Sequence, residues 1–94
     1  MSNQTLRVNV QSTHQQRFDS SWREALADVL ASSGAAVTDV GGGTDLQTGE
    51  SDNEYEVTAR KETLDRMFEA LRSAHYSYRA FDELYNTEVS ANHA

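Results

Sequence analysis

The stretch Val37–Ala59, VTDVGGGTDLQTGESDNEYEVTA, decides how the chain is organised. Its last part, Glu54–Ala59, alternates polar and apolar residues, and this period of two predicts a strand with one buried face. A β-branched run at Val37–Val40 predicts a second strand. The glycines Gly41–Gly43 between them favour a sharp change of direction or a bulge, because glycine adopts positive φ at little cost. The stretch is therefore predicted to be a hairpin with a polar tip, in which Leu46 tucks back onto the fold.

Two helices and two further strands flank this hairpin. Strict alternation predicts a strand at Leu6–Gln11, and an aromatic-rich run predicts a last strand at Tyr76–Leu84. Apolar residues at helical spacing predict one helix between Ser21 and Gly34 and a second that follows Arg60–Thr63. The predicted core joins the two helical stripes to one face of the sheet: Leu6, Val8, Val10, Trp22, Leu26, Val29, Leu30, Val57, Leu64, Met67, Phe68 and Leu71.

The element order β-α-β-β-α-β is that of the split β-α-β, or ferredoxin-like, α+β fold. We expect a four-stranded antiparallel sheet in the order 4-1-3-2, with two helices on one face because the crossovers are right-handed. A meander with the helices on opposite faces is the alternative. We predict that residues 1–85 form a single domain, and that the small, polar residues of 86–94 form a disordered tail.

The negative charge is concentrated in one half of the chain. The 94 residues carry a net charge of −7, and the stretch from Glu24 to Ala59 contains eight carboxylates and no Lys or Arg. The rest of the chain therefore sums to +1. An acidic surface repels the phosphates of nucleic acids and attracts a basic partner, whereas solubility is the simpler explanation.

The sequence predicts no reaction centre. The absence of cysteine excludes disulfides and thiolate metal sites. The glycines Gly41–Gly43 lie between two predicted strands and no Gly-Lys-Ser/Thr follows, which favours a turn over a phosphate-binding loop. His14, His75 and His93 have no nucleophile signature beside them. We therefore expect a protein that is not an enzyme and that needs no cofactor or metal.

A weak cation site in the acidic connection is an alternative that the sequence leaves open. Its oxygen ligands would be Asp45, Glu50, Asp52 and Glu54, and His14 or His75 would adapt it to a transition metal. The chain has no long apolar run and no signal peptide, so we expect a cytoplasmic protein without membrane contact.

The string GAAVTDVGGGTDLQTGESDNEYEVTARKETLDRMFEALRSA, Gly34–Ala74, resembles small bacterial ferredoxin-like proteins of the immunity or inhibitor type. The shared features are the GGGT turn, a following Leu and Gly-Glu pair, an acidic strand and a helix with an apolar stripe. The resemblance implies a stoichiometric binder of another protein and no catalyst. It carries over no individual binding residue.

Our first hypothesis is a small acidic protein-binding module that neutralises or regulates a partner with a basic surface, such as a toxin, a nuclease or a nucleic-acid-binding protein. Direct nucleic-acid binding is not expected. The alternative is an ACT-like regulatory domain that senses a small ligand, because glycines let a ligand approach the backbone. The predicted partner-binding residues are the carboxylates Asp39, Asp45, Glu50, Asp52, Glu54 and Glu56.

A homodimer is the further expectation for assembly. The last predicted strand is an edge of the four-stranded sheet, and it carries Tyr76, Tyr78 and Phe81. Exposed edge strands pair readily with other chains, and a domain this small gains stability from association.

Overall fold

The computed structural model of the chain describes residues 3–12 and 21–93. Five strands in these residues form one sheet in the order β2-β3-β1-β4-β5, and every neighbouring pair is antiparallel. The fold is therefore α+β, and its first four strands lie in the predicted order. The elements are β1 Gln4–Gln11, α1 Trp22–Ser32, β2 Ala36–Thr44, β3 Ser51–Ala59, α2 Lys61–Ser73, β4 Ser77–Asp82 and β5 Thr87–Asn92.

The prediction of a four-stranded sheet is wrong, because a fifth strand follows β4. This strand, β5, lies in the segment 86–94 that was expected to be a disordered tail. Three side-chain hydrogen bonds hold it beside β4. The Ser90 Oγ lies 2.8 Å from the Tyr78 hydroxyl, Asn92 Nδ2 donates to the Tyr76 carbonyl at 2.8 Å, and Arg79 Nε donates to Glu88 at 2.8 Å. The outer strands of the described sheet are consequently β2 and β5, and β4 is not an edge.

One core lies between the two helices and one face of the sheet. The buried stripes of α1 and α2 share this core with alternate residues of β1, β3 and β4. All twelve predicted core residues belong to it or pack against it, although Val29 is only half-buried. The sequence analysis missed five further members, which come mainly from β3 and β4: Tyr55, Ala59, Tyr76, Tyr78 and Ala80.

The opposite face of the sheet is polar. Alternate residues of β1 and β3 that point away from the helices include Arg7, Asn9, Glu54 and Glu56, and their side chains are half-buried by one another. This is the usual division of an antiparallel sheet that covers a core on one side. Neither helix in the described parts of the chain has the length and apolar character that a membrane span requires.

The strand registers place the β2–β3 tip and the β4–β5 turn at opposite ends of the sheet. Gln11 pairs with Asp52 and with Ser77, so the end of β1 lies beside the tip of the β2–β3 hairpin. The Ser12 amide donates to the Ser51 carbonyl there, at 2.8 Å. Ser12 is the last described residue after β1, and the candidate ligand His14 lies outside the described residues.

Candidate functional site

The β2–β3 hairpin is held next to its tip by the first two residues of α1. The indole Nε1 of Trp22 donates to Ser51 Oγ at 3.1 Å in a buried position. Arg23 Nη2 donates to the carbonyls of Gly43 and Asp52, each at 3.0 Å. These bonds join one helix terminus to both strands, so the hairpin is fixed relative to the core.

The tip of the hairpin is a closed turn organised by Asp45. Its amide donates to the Glu50 carbonyl at 2.7 Å, and its own carbonyl accepts from the amide of Gly49 at 2.8 Å. Its carboxylate accepts from the amides of Gln47 and Thr48 at 2.9 and 3.4 Å. A side chain that bonds to the backbone two residues on is a common way to stabilise such a turn. The tip is therefore ordered by its own hydrogen bonds.

The side chain of Leu46 points into solvent from this turn. It is 89% exposed, the largest exposure among the large apolar residues of the described chain. The prediction that Leu46 tucks back onto the fold is wrong, because the bonds around Asp45 close the turn locally and leave the next side chain outside it. An exposed leucine is thus presented between acidic residues.

The three aspartates of the predicted binding surface support the hairpin. Besides Asp45 at the tip, Asp39 Oδ1 accepts from the Gly41 amide at 2.9 Å and from Asn53 Nδ2 at 3.1 Å. Asp52 accepts from the Gly43 amide at 3.2 Å and from Asn9 Nδ2 at 3.0 Å. The short aspartate side chains therefore satisfy backbone and side-chain amide donors of the hairpin and of β1.

The three glutamates of the predicted binding surface lie at two separate places. Glu50 is exposed at the tip, while Glu54 and Glu56 lie on the polar face of the sheet beside Arg7. The Arg7 guanidinium is 3.1 Å from Glu54, 3.8 Å from Glu56 and 2.9 Å from Glu83. The hydrogen bonds that Arg7 donates to Glu83 and then to Glu54 raise the pKa of Arg7. One cation among three carboxylates leaves this group negative. The charge of Arg7 nevertheless compensates part of the acidic surface, which was not predicted from the sequence.

The structure does not place the six predicted binding residues on one face. Asp39 lies on the outer strand, Asp45 and Glu50 at the tip, and the other three on the polar face of the sheet. The contacts of Arg7 with Glu54 and Glu56 could have been inferred from the alternation of β1. Nothing in the sequence indicated that Leu46 is exposed.

The alternative cation site finds no support in the geometry. In residues 3–12 and 21–93, no group of three His, Asp or Glu side chains is arranged to hold a metal ion. His75 is exposed in the turn before β4, where its φ is 62°. A shallow groove of about 410 Å³ lies beside the tip, between Gly43–Asp45 and Glu50–Asp52.

Comparisons with known proteins concern the fold. No family model matches the chain, and the search of curated proteins found no relative. A functionally unknown protein from Pediococcus pentosaceus has a similar structure, with a TM-score of 0.55, 12% identity and coverage of 99% of this chain and 85% of that one. Its similarity supports the α+β architecture.

A second solved structure is that of a "putative PII-like signaling protein" from Thermus thermophilus. Its TM-score is 0.48 at 19% identity, with coverage of 88% of this chain and 89% of that one, and we draw no conclusion from it. The resemblance to immunity or inhibitor proteins is addressed by neither structure and stays a prediction.

Proposed function

We propose that the chain is a small acidic protein-binding module that neutralises or regulates a partner protein with a basic surface, and that it binds through the β2–β3 hairpin. The observation that carries this proposal is Leu46, which is 89% exposed at the tip of a hairpin without a single Lys or Arg. An apolar centre surrounded by a polar rim is the usual anatomy of a protein–protein interface.

The hairpin is already ordered before it meets a partner. The bonds of Asp45 fix the tip, and Trp22 and Arg23 fix the ends of the two strands next to it. Ordering a loop on binding costs free energy, so a tip that is already ordered retains more of its contact energy as affinity. Leu46 is therefore presented in one position to the partner.

The charge of the hairpin selects the partner. Its aspartates are engaged in internal hydrogen bonds, while Glu50, Glu54 and Glu56 contribute negative potential at the tip and on the polar face. Arg7 offsets only part of that charge. Complementary potentials accelerate association and disfavour wrong partners, so a toxin, a nuclease or another nucleic-acid-binding protein is the class that fits.

Affinity capture from a lysate of the source organism, at low and at high salt, tests this function. We expect wild-type protein to retain a basic protein that high salt releases, because exposed charges are screened. The double variant Glu50→Gln/Glu56→Gln should retain less of it. The control Glu62→Gln/Glu69→Gln makes the same change of net charge on the exposed face of α2 and should behave as wild type. Equal retention by both double variants would contradict the proposal.

The groove beside the tip favours ACT-like sensing of a small ligand as a second candidate function. Asp45, Glu50 and Asp52 line this groove, and their carboxylates would select a cationic ligand. Under this second function a basic amino acid should raise the melting temperature, because a ligand that binds only the folded state stabilises it. No such rise is expected if the hairpin binds only a protein.

A further inference from the structure

The two outer strands of the described sheet carry the same kind of irregularity. Each contains a bulge that leaves one valine without a partner in the register: Val40 in β2, and Val89 in β5. The two valines are similarly exposed, at 45% and 49%. The edges are therefore alike in shape and apolar character, and they differ in charge and in what lies beside them.

The β2 edge is unsuited to a second copy of the chain. Asp39 lies on it, and the neighbouring strand carries Glu54 and Glu56. The amides of Gly41 and Gly43 already donate to aspartate side chains. Two such edges would repel each other, because both carry negative charge and the whole chain is at −7.

The β5 edge is nearly neutral. Its one acidic residue, Glu88, lies 2.8 Å from Arg79 Nε. On the helix side of the sheet, a groove of about 320 Å³ separates β5 from α2, and Val89 lines it together with Leu64 and Phe68. Lys61, Asp65 and Arg72 also line this groove, so charges of both signs surround its apolar part.

We propose that two copies of the chain form a symmetric dimer through this β5 surface, defined as Val89 and the groove between β5 and α2. In a two-fold dimer the same patch serves both copies and must complement itself. An exposed valine beside a groove whose lining carries charges of both signs satisfies that requirement, because each copy can offer the charge that the other lacks. The sequence predicted a dimer contact on β4. Because β5 covers β4, the proposed dimer forms on β5 instead. It leaves the acidic hairpin at the far edge accessible.

The mass of the protein in solution tests the dimer with a matched pair of variants. Val89→Lys should raise the dimer dissociation constant at least about tenfold, whereas Val40→Lys should leave it unchanged. Both variants make the chain less negative by one charge. Weaker association of Val89→Lys alone therefore cannot come from the net charge of the chains.

A cross-linking experiment covers the case in which a lysine variant fails to fold. The chain contains no cysteine, so Val89→Cys and Val40→Cys each introduce a single thiol. We expect a bifunctional maleimide to link two copies at position 89 and not at position 40. A wild-type protein that stays monomeric at high concentration would overturn the proposal. So would a dimer that Val40→Lys abolishes, or one that the maleimide links through Val40→Cys.

Discussion

At the residue scale, side-chain length divides the acidic hairpin into two classes. Aspartates such as Asp39 and Asp45 reach amides of their own strand or turn, because a short carboxylate bonds easily to the backbone two residues on. Glu54 and Glu56 extend instead to Arg7 across the polar face. Removal of an aspartate therefore disturbs the hairpin itself, and only the glutamates can be neutralised to test binding.

Two buried tyrosines make the stability of the fold decrease with rising pH in the alkaline range. Burial, and next the negative charge of Asp39, raises the pKa of Tyr55 above its ordinary 10.0, and burial raises the pKa of Tyr76. The folded state thus holds these phenol protons more tightly than the unfolded chain does. Their contribution to the free energy of unfolding is complete below pH 10.0 and decreases as the pH rises above that value.

We predict that the double variant Tyr55→Phe/Tyr76→Phe loses less stability than wild type between neutral pH and pH above 10.0. Urea midpoints measured across this range check the prediction. Tyr85→Phe is the control, because Tyr85 is 74% exposed and its variant should follow the wild-type curve. Parallel curves for the double variant and wild type would show that the two phenols do not cause the loss of stability at alkaline pH.

At the element scale, the close approach of β2 to β3 depends on one glycine. A Cβ at Gly42 would overlap the carbonyl oxygen of Asp52 and lie 2.6 Å from Asn53 Oδ1. A Cβ at Gly43 would have only Asp52 Oδ1 near it, at 4.0 Å. The two neighbouring glycines therefore have different roles, although the sequence presents them as equivalent.

We predict that Gly42→Ala lowers the free energy of unfolding by about 1–3 kcal/mol, because backbone must move to admit the methyl group. Gly43→Ala should change it by less than about 0.5 kcal/mol, as for substitutions away from such contacts. Denaturant unfolding of both variants provides the comparison. The same midpoint for the two would mean that β2 and β3 are not held together at Gly42.

Most elements that the sequence predicted have an apolar face, whereas β2, predicted from its β-branched residues, has no buried residue. β1, β3 and both helices bury a regular stripe, so hydrophobic periodicity identified them and most of the core. β5 has no buried residue, and it is held by pairing with β4 and by bonds from Ser90 and Asn92. Periodicity carries no signal for such a strand. The direction of Leu46 was equally inaccessible, because it depends on which amides Asp45 binds.

At the scale of the whole molecule, the charge separates two surfaces by function. The acidic hairpin lies along the β2–β3 side of the sheet, and the nearly neutral β5 surface lies at the other edge. Under the two proposals, a copy of the chain is repelled by the first surface and binds the second, whereas a basic partner is attracted to the first. The two proposals are therefore independent, and a monomer could still bind its partner.

The account rests most on the claim that Leu46 contacts a basic partner protein, and site-specific photo-cross-linking in cells tests it directly. A photo-reactive amino acid would replace Leu46 in one protein and Leu84 in another. Leu84 is the matched control, because it is 80% exposed in a turn at the opposite end of the sheet. Mass spectrometry would identify each adduct.

We predict a discrete adduct with a basic protein from position 46, none from position 84, and less adduct at position 46 when Glu50→Gln/Glu56→Gln is added. The absence of an adduct at position 46, or the same adducts from both positions, would contradict the account.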